Sequence, residues 1–200
     1  MDLHVLAGGA SLAVGVVGYA LYITSIVKRR IVPHAFSWGV WGLMATVMFF
    51  GQRVAGAGPG SWVVGLAALA CGVIFLLSLR WGEKRITRLD IGMLGLGLLA
   101  LALWAMTRDP LLAVLLAGLA NVIGGNGPTI RKAYDDPASE SALYFALTTL
   151  KYAFALVALS SWNFTALFPI LINGFGDFAV VLVILTQRAR KLPVLEQKTP

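Results

Sequence analysis

The chain has 200 residues, of which 58% are hydrophobic and 12% charged, with a formal net charge of +7, and its mean hydropathy is +0.82. Soluble domains carry about a quarter of their residues as charged side chains, so this balance excludes an ordinary soluble domain and points to the bilayer. The basic residues lie between apolar runs and not in one patch with interleaved aromatics, which argues against a nucleic-acid surface; the single cysteine, Cys71, lies in an apolar run, so neither a disulfide framework nor a Cys/His metal site is expected.

Seven apolar segments follow one another. The first, about Val5 to Val27, is long enough to cross a hydrocarbon core of about 30 Å at 1.5 Å per residue. A secretory signal has basic residues before its apolar core, whereas here Asp2 precedes the core and Lys28-Arg29-Arg30 follow it, so the segment reads as a retained helix with its N-terminus outside. Gly8, Ser11, Gly15, Gly18, Tyr22 and Ser25 recur at three- and four-residue spacing, a stripe of mostly small residues that lets another helix approach closely. The others span Ala35 to Gln52, Ser61 to Leu79, Ile91 to Thr107, Pro110 to Gly127, Ser141 to Ser160 and Phe164 to Gln187. No strand is expected. The fifth ends in Gly124-Gly125-Asn126-Gly127-Pro128, where it is expected to unwind.

With the N-terminus outside, thirteen basic residues fall on the inner side: Lys28, Arg29, Arg30, Arg80, Lys84, Arg85, Arg88, Arg131, Lys132, Arg188, Arg190, Lys191 and Lys198. Only Arg53 and Arg108 fall outside, and Lys151 lies within a segment. This bias predicts an integral plasma (inner) membrane protein with a cytoplasmic C-terminus.

The elbow after the first segment, Ile26 to Trp41, recurs. At a shift of 104 residues Ile26, Lys28, Pro33, Ser37 and Leu43 fall on Ile130, Lys132, Pro137, Ser141 and Leu147. The chain thus divides into a first three-helix repeat (5–80), a loop and linker helix (81–109), a second repeat (110–187) and a basic tail (188–200). The expected fold is an all-α integral membrane protein of seven helices, arranged three, one and three, its two repeats parallel because they are four helices apart. Such repeats are a transporter architecture.

The elbows SIVKRRIVPHAFSWGVWGL and GPTIRKAYDDPASESALYFAL, with the three-one-three plan, resemble the PQ-loop superfamily and within it the SWEET-like transporters. The resemblance covers nearly the whole chain, and the PHAFSW run is also similar to uncharacterised bacterial membrane proteins of this size. Of the family's Pro-Gln pair, Pro128-Thr129 keeps the proline and Thr24-Ser25 keeps neither residue. The resemblance implies transport of a small solute such as a sugar, a hinge at Gly124, Gly125, Gly127 and Pro128 with Pro33 and Pro137 at the elbows, and a pocket asparagine in the last segment, which Asn173 matches.

Charged groups at mid-bilayer cost roughly 2.5 to 3.5 kcal/mol on insertion scales and usually face an interior pathway. Lys151 is about 14 Å from either end of its segment at 1.5 Å per residue, and Asp177 is similarly central in the last. Ser141, Tyr144, Thr148 and Lys151 share a helix face, as do Asn173 and Asp177, and Asn121 is mid-segment. Asn121, Lys151, Asn173 and Asp177 are therefore expected to converge, with Thr148 and Trp41 beside them as substrate-binding residues. Trp38 is read as an interfacial anchor, since tryptophan is enriched in aromatic belts. The competing reading of Lys151 and Asp177 is a structural ion pair.

The functional reading is a transporter of a small polar solute (sugar, amino acid or organic acid) by alternating access around a midplane site. The lysine and aspartate suit a zwitterion or organic acid better than a neutral sugar, and proton coupling or assembly of two copies remains compatible. A receptor or scaffold of the same fold, binding without flux, is the alternative. An enzyme or retinal-type pigment protein fits less well: no nucleophilic triad, metal cluster or phosphate loop is present, and neither a metal nor any other cofactor is expected.

Overall fold

A computed structural model describes residues 2–82, 86–138 and 140–196, the side chains of 89, 90, 93, 128 and 191–196 excepted. Lys84, Arg85 and Lys198 of the charge count lie outside the described residues, as does the side chain of Lys191. Among the described residues the architecture is entirely helical: α1 (Leu3–Val27), α2 (Ala35–Val54), α3 (Trp62–Trp81), α4 (Arg88–Thr107), α5 (Pro110–Asn121), α6 (Gly127–Asp135), α7 (Ala142–Val157) and α8 (Phe164–Glu196).

Local chemistry explains most of these limits. Asp2, His34, Asp109 and Ser141 each cap a helix by accepting a backbone N–H from the first turn, of His4, Ser37, Leu111 and Tyr144 respectively. Pro110 opens α5, where its missing N–H costs nothing. At the end of α1, Arg29 takes the left-handed conformation at φ 56°, so that Arg29 N donates to Ile26 O and Arg30 N to Ser25 O. That closes the last turn as a glycine commonly would. The Arg29 guanidinium, 4.8 Å from the Trp81 ring centroid, gains a cation–π contact there.

Two boundaries differ from the sequence expectation. The fifth segment does not unwind: α5 passes through one π turn, Val122–Asn126, directly into α6, which takes in Ile130 to Lys132 of the expected loop. Pro128 closely follows the π turn, where the regular i→i−4 ladder is already interrupted. The last helix runs on past Gln187 to Glu196, as arginine and lysine are good helix formers.

Four helical stretches are long and apolar enough to cross a membrane: Leu3–Val27, Gly58–Trp81, Pro110–Asp135 and Phe164–Arg190. Leu94–Thr107 and Ala142–Val157 are shorter apolar helices. Outer faces carry Leu69, Leu76, Met106, Phe175 and Leu185 exposed, while Ser11, Gln52, Asn121, Thr148, Lys151 and Asn173 are buried. Apolar outside and polar inside is the distribution of an all-α protein whose surrounding solvent is lipid.

The packing has a regular plan. Helix α3 packs on α1 and α2, and α8 packs on α5 and α7; α1 also packs on α7, and α2 on α5, with α4 laid against α5 and α2. The small-residue stripe on α1 makes the α1–α7 contact close: Gly18 lies against Leu147 and Tyr144, and Gly15 beside the Lys151 stem. Ser25 falls off this face and donates to Leu21 O of its own helix, and Ile26 is buried in its place.

The two ends of the bundle are held differently. At one end, hydrogen bonds join residues 52–57 to 160–166: Gln52 Nε2 to Ala166 O at 2.6 Å, Asn163 Nδ2 to Ala55 O at 2.7 Å and Ser160 N to Ala57 O at 3.1 Å. Gly58 enters this end at φ +59°, where a Cβ would also overlap Ser160. At the other end each elbow is tied to the last helix of its own half. The Pro33 carbonyl lies against Gly82, and the Pro137 carbonyl accepts from Arg188 Nε at 3.0 Å.

Glu140, in the second elbow, meets Lys132 Nζ at 2.9 Å, and its backbone carbonyl accepts from Arg188. Burial pushes its carboxyl above the usual value and the Lys132 ammonium pulls it back. Because the folded pKa is raised, the folded state holds this proton more tightly than the unfolded chain, and stability falls as pH rises through that range. Lys132→Ala should therefore destabilise above the ordinary glutamate range and converge with the parent below it, where Glu140 is protonated in both states. As Lys132 is half exposed, the loss should stay below about 1 kcal/mol. Thermal unfolding from pH 4 to 8 measures it.

Candidate functional site

Site chemistry begins on α7, where Lys151 is 1% exposed. Its Nζ donates to Tyr19 Oη at 2.9 Å and lies 4.4 Å and 4.8 Å from the ring centroids of Tyr19 and Tyr152. Two aromatic faces and one hydroxyl thus replace part of the ammonium's water. Its backbone carbonyl accepts from Ser11 Oγ at 2.6 Å, which fixes α7 against α1.

Amides and a carboxylate face it from α5 and α8. Asn121 Nδ2 donates to Asn173 Oδ1 at 2.6 Å, and Asn173 Nδ2 to Pro169 O at 2.6 Å. Asn126 Nδ2 approaches Asp177 Oδ1 at 3.4 Å, and Gly176 leaves room for that amide, since a Cβ there would stand 2.8 Å from Asn126 Nδ2. The Thr148 hydroxyl, which donates to Phe145 O at 2.9 Å, lies beside the Asp177 carboxylate.

Asn126 was missed by sequence reasoning for a geometric reason. Five residues of α-helix rotate a side chain about 140° away from its starting face, which would put Asn126 well off the face of Asn121. The π turn over Val122–Asn126 widens the helix so that both asparagines face inward. Such turns are frequent at functional positions. Gly125 is buried against α2, and a Cβ there would overlap the Trp41 indole, whose Nε1 donates to Asn121 O at 3.3 Å.

Asn121, Lys151, Asn173, Asp177 and Trp41 line a single cavity of about 50 Å³ together with Asn126, Tyr19, Trp38, Tyr144 and Tyr152. Thr148, 2% exposed, does not line the cavity and is beside Asp177, which does. A water needs roughly 10 to 15 Å³ measured this way, so the cavity holds a few waters and its walls must part for a larger solute. A second hollow, about 460 Å³, lies between α2, α3 and α4 and is lined by apolar residues such as Phe36, Leu43 and Phe75; among the described residues no ionisable side chain lines it.

Lys151 and Asp177 share the cavity, and among the described residues no direct salt bridge of the kind the competing reading requires joins them; Lys151 is engaged by Tyr19 of α1. One expectation is corrected. Trp38 is 4% exposed and packs on Tyr22 and Trp41, with centroids 5.0 and 4.9 Å away, so it is an interior residue and not an interfacial anchor. Among the expected hinge residues, Gly124 and Gly125 lie in the π turn and Gly127 and Pro128 begin α6; Pro33 and Pro137 are held at the elbows.

No protein-family model, curated protein or solved structure matches this chain.

Proposed function

We propose that this protein is a transmembrane transporter of a small polar solute, with a SWEET-like arrangement of two three-helix repeats and a linker helix. One observation carries the reading: Lys151 and Asp177, opposite in charge and without a salt bridge between them, face one polar cavity walled by helices from both parts of the chain. Ionisable groups are costly in a membrane interior and mark pathways there.

The packing plan supports the repeat. Exchanging α1, α2 and α3 for α5, α7 and α8 turns the α1–α3 and α2–α3 contacts into α5–α8 and α7–α8, and turns α1–α7 into α2–α5, all of which are principal contacts. The extra helix, α4, has no such counterpart. The unequal ends support alternating access: hydrogen bonds between the halves close the end at 52–57 and 160–166. Toward the elbows the cavity is covered by rings, with Tyr22 and Tyr144 centroids 4.6 Å apart. By the placement of lysine and arginine the elbow end is cytoplasmic and the hydrogen-bonded end outside.

Uptake into proteoliposomes across sugars, amino acids and organic acids tests the reading. Flux of at least one class is expected, with most of it lost in Asp177→Asn and Lys151→Ala protein that remains folded. Saturable binding without flux would instead establish a receptor or scaffold.

A further inference from the structure

We infer that the solute is a small zwitterion of the amino-acid type, whose carboxylate takes the place of the Tyr19 hydroxyl on Lys151 Nζ while its ammonium docks on the Asp177 carboxylate. The inference rests on the cavity being the solute site.

Charge balance within the cavity selects this class. Lys151 and Asp177 approach it from different helices, α7 and α8, and neither neutralises the other by contact. A neutral sugar entering between them would replace water on two charges by hydroxyls and bring no opposite charge to either. A simple carboxylate would satisfy Lys151 but leave two anions in a water-poor space, and a simple amine would do the reverse with two cations; buried charges without partners are strongly unfavourable. A zwitterion supplies one opposite charge to each and adds none in total.

Local bonding agrees. Among the described residues the hydrogen-bond partner of Lys151 Nζ is a neutral hydroxyl, Tyr19 Oη at 2.9 Å, and a carboxylate is the stronger acceptor for an ammonium. Among the described residues Asp177 meets one amide, Asn126 Nδ2 at a long 3.4 Å, with Thr148 beside it, so its oxygens retain acceptor capacity for an ammonium. The cavity as it stands holds only a few waters, about 50 Å³, so a solute of few heavy atoms needs the least parting of its walls, and Trp41 and Tyr144 supply apolar walls for its carbon skeleton.

Binding to the purified full chain, by calorimetry and ligand-induced thermal shift, is compared for glycine, L-alanine and β-alanine against propionate, ethylamine and glycerol; each probe is then tested for counterflow in proteoliposomes. At least one zwitterion should bind about a hundredfold more tightly than the probes that lack one charge or both, since a site with buried charged groups rejects a ligand that leaves one unpaired. Lys151→Met should abolish discrimination between alanine and ethylamine, and Asp177→Asn that between alanine and propionate. Tyr19→Phe keeps the ring and removes the competing hydroxyl, so it should tighten zwitterion binding severalfold, a readout independent of whether the charge variants fold. Equal or tighter binding of propionate, ethylamine or glycerol, failure of all three zwitterions to bind, or weaker binding in Tyr19→Phe overturns the inference. Zwitterion binding without counterflow would remove the transport reading and keep the ligand class; counterflow of glycerol or propionate alone would do the opposite.

Discussion

Lys151→Met is expected to cost about 1–3 kcal/mol of stability and to abolish flux, and adding Asp177→Asn is expected to restore the stability without restoring the flux. The methionine keeps most of the apolar stem that lies beside Gly15. What is lost is the ammonium bonded to Tyr19 Oη and set between the Tyr19 and Tyr152 rings. Asp177 is then left facing the cavity with no cation opposite. Breaking one side of a buried charge arrangement is destabilising, whereas replacing both sides by neutral groups of similar size is often neutral or stabilising. The double variant should therefore be more stable than the sum of the singles predicts, the signature of coupled residues. Thermal unfolding in detergent measures the stability, and proteoliposome uptake the function. If flux returns along with stability in the double variant, the two charges serve the fold alone.

Gly125→Ala should destabilise by about 1–3 kcal/mol or more, and Gly127→Ala, two residues on, should stay within about 1 kcal/mol of the parent. At Gly125 the added Cβ would occupy the space of the Trp41 indole, so either the π turn or α2 must move, and the Trp41 Nε1 bond to Asn121 O is broken. At Gly127 the nearest atom to a built Cβ is Val122 O at 3.8 Å, an ordinary contact. There alanine removes backbone freedom from the unfolded chain, which offsets the steric cost of a Cβ in a helical residue directly before Pro128. Both variants reduce flux if the π turn flexes during transport, and Gly127→Ala does so with the smaller loss of stability. Equal stability of the two variants would show that the Trp41 contact yields freely.

The apolar segments, the elbows and the polar face of α7 were readable in the chain because each depends on neighbours within a few turns. Hydropathy is a local average, and Tyr144, Thr148 and Lys151 share a face by helical period alone. The stripe on α1 was readable for the same reason, apart from its last member, Ser25. Cross-helix partnerships were not readable. Nothing in the spacing of Lys151 identifies Tyr19 as its hydrogen-bond partner, because the two are brought together by the approach of α1 to α7. Trp38, one turn inside its elbow, has the sequence position of an anchor and an interior location, since Tyr22 from α1 packs on it.

Composition and hydropathy were thus sufficient for the class of protein, the helical segments and the rarity of Lys151 and Asp177 within them. The partner of each buried polar group, and the side of α5 on which Asn126 emerges, depended on three-dimensional packing. The reason is one of phase: a regular helix carries its faces at a constant angle per residue, which the sequence displays, but one π turn shifts every later face, and a close glycine contact decides which neighbour each face meets.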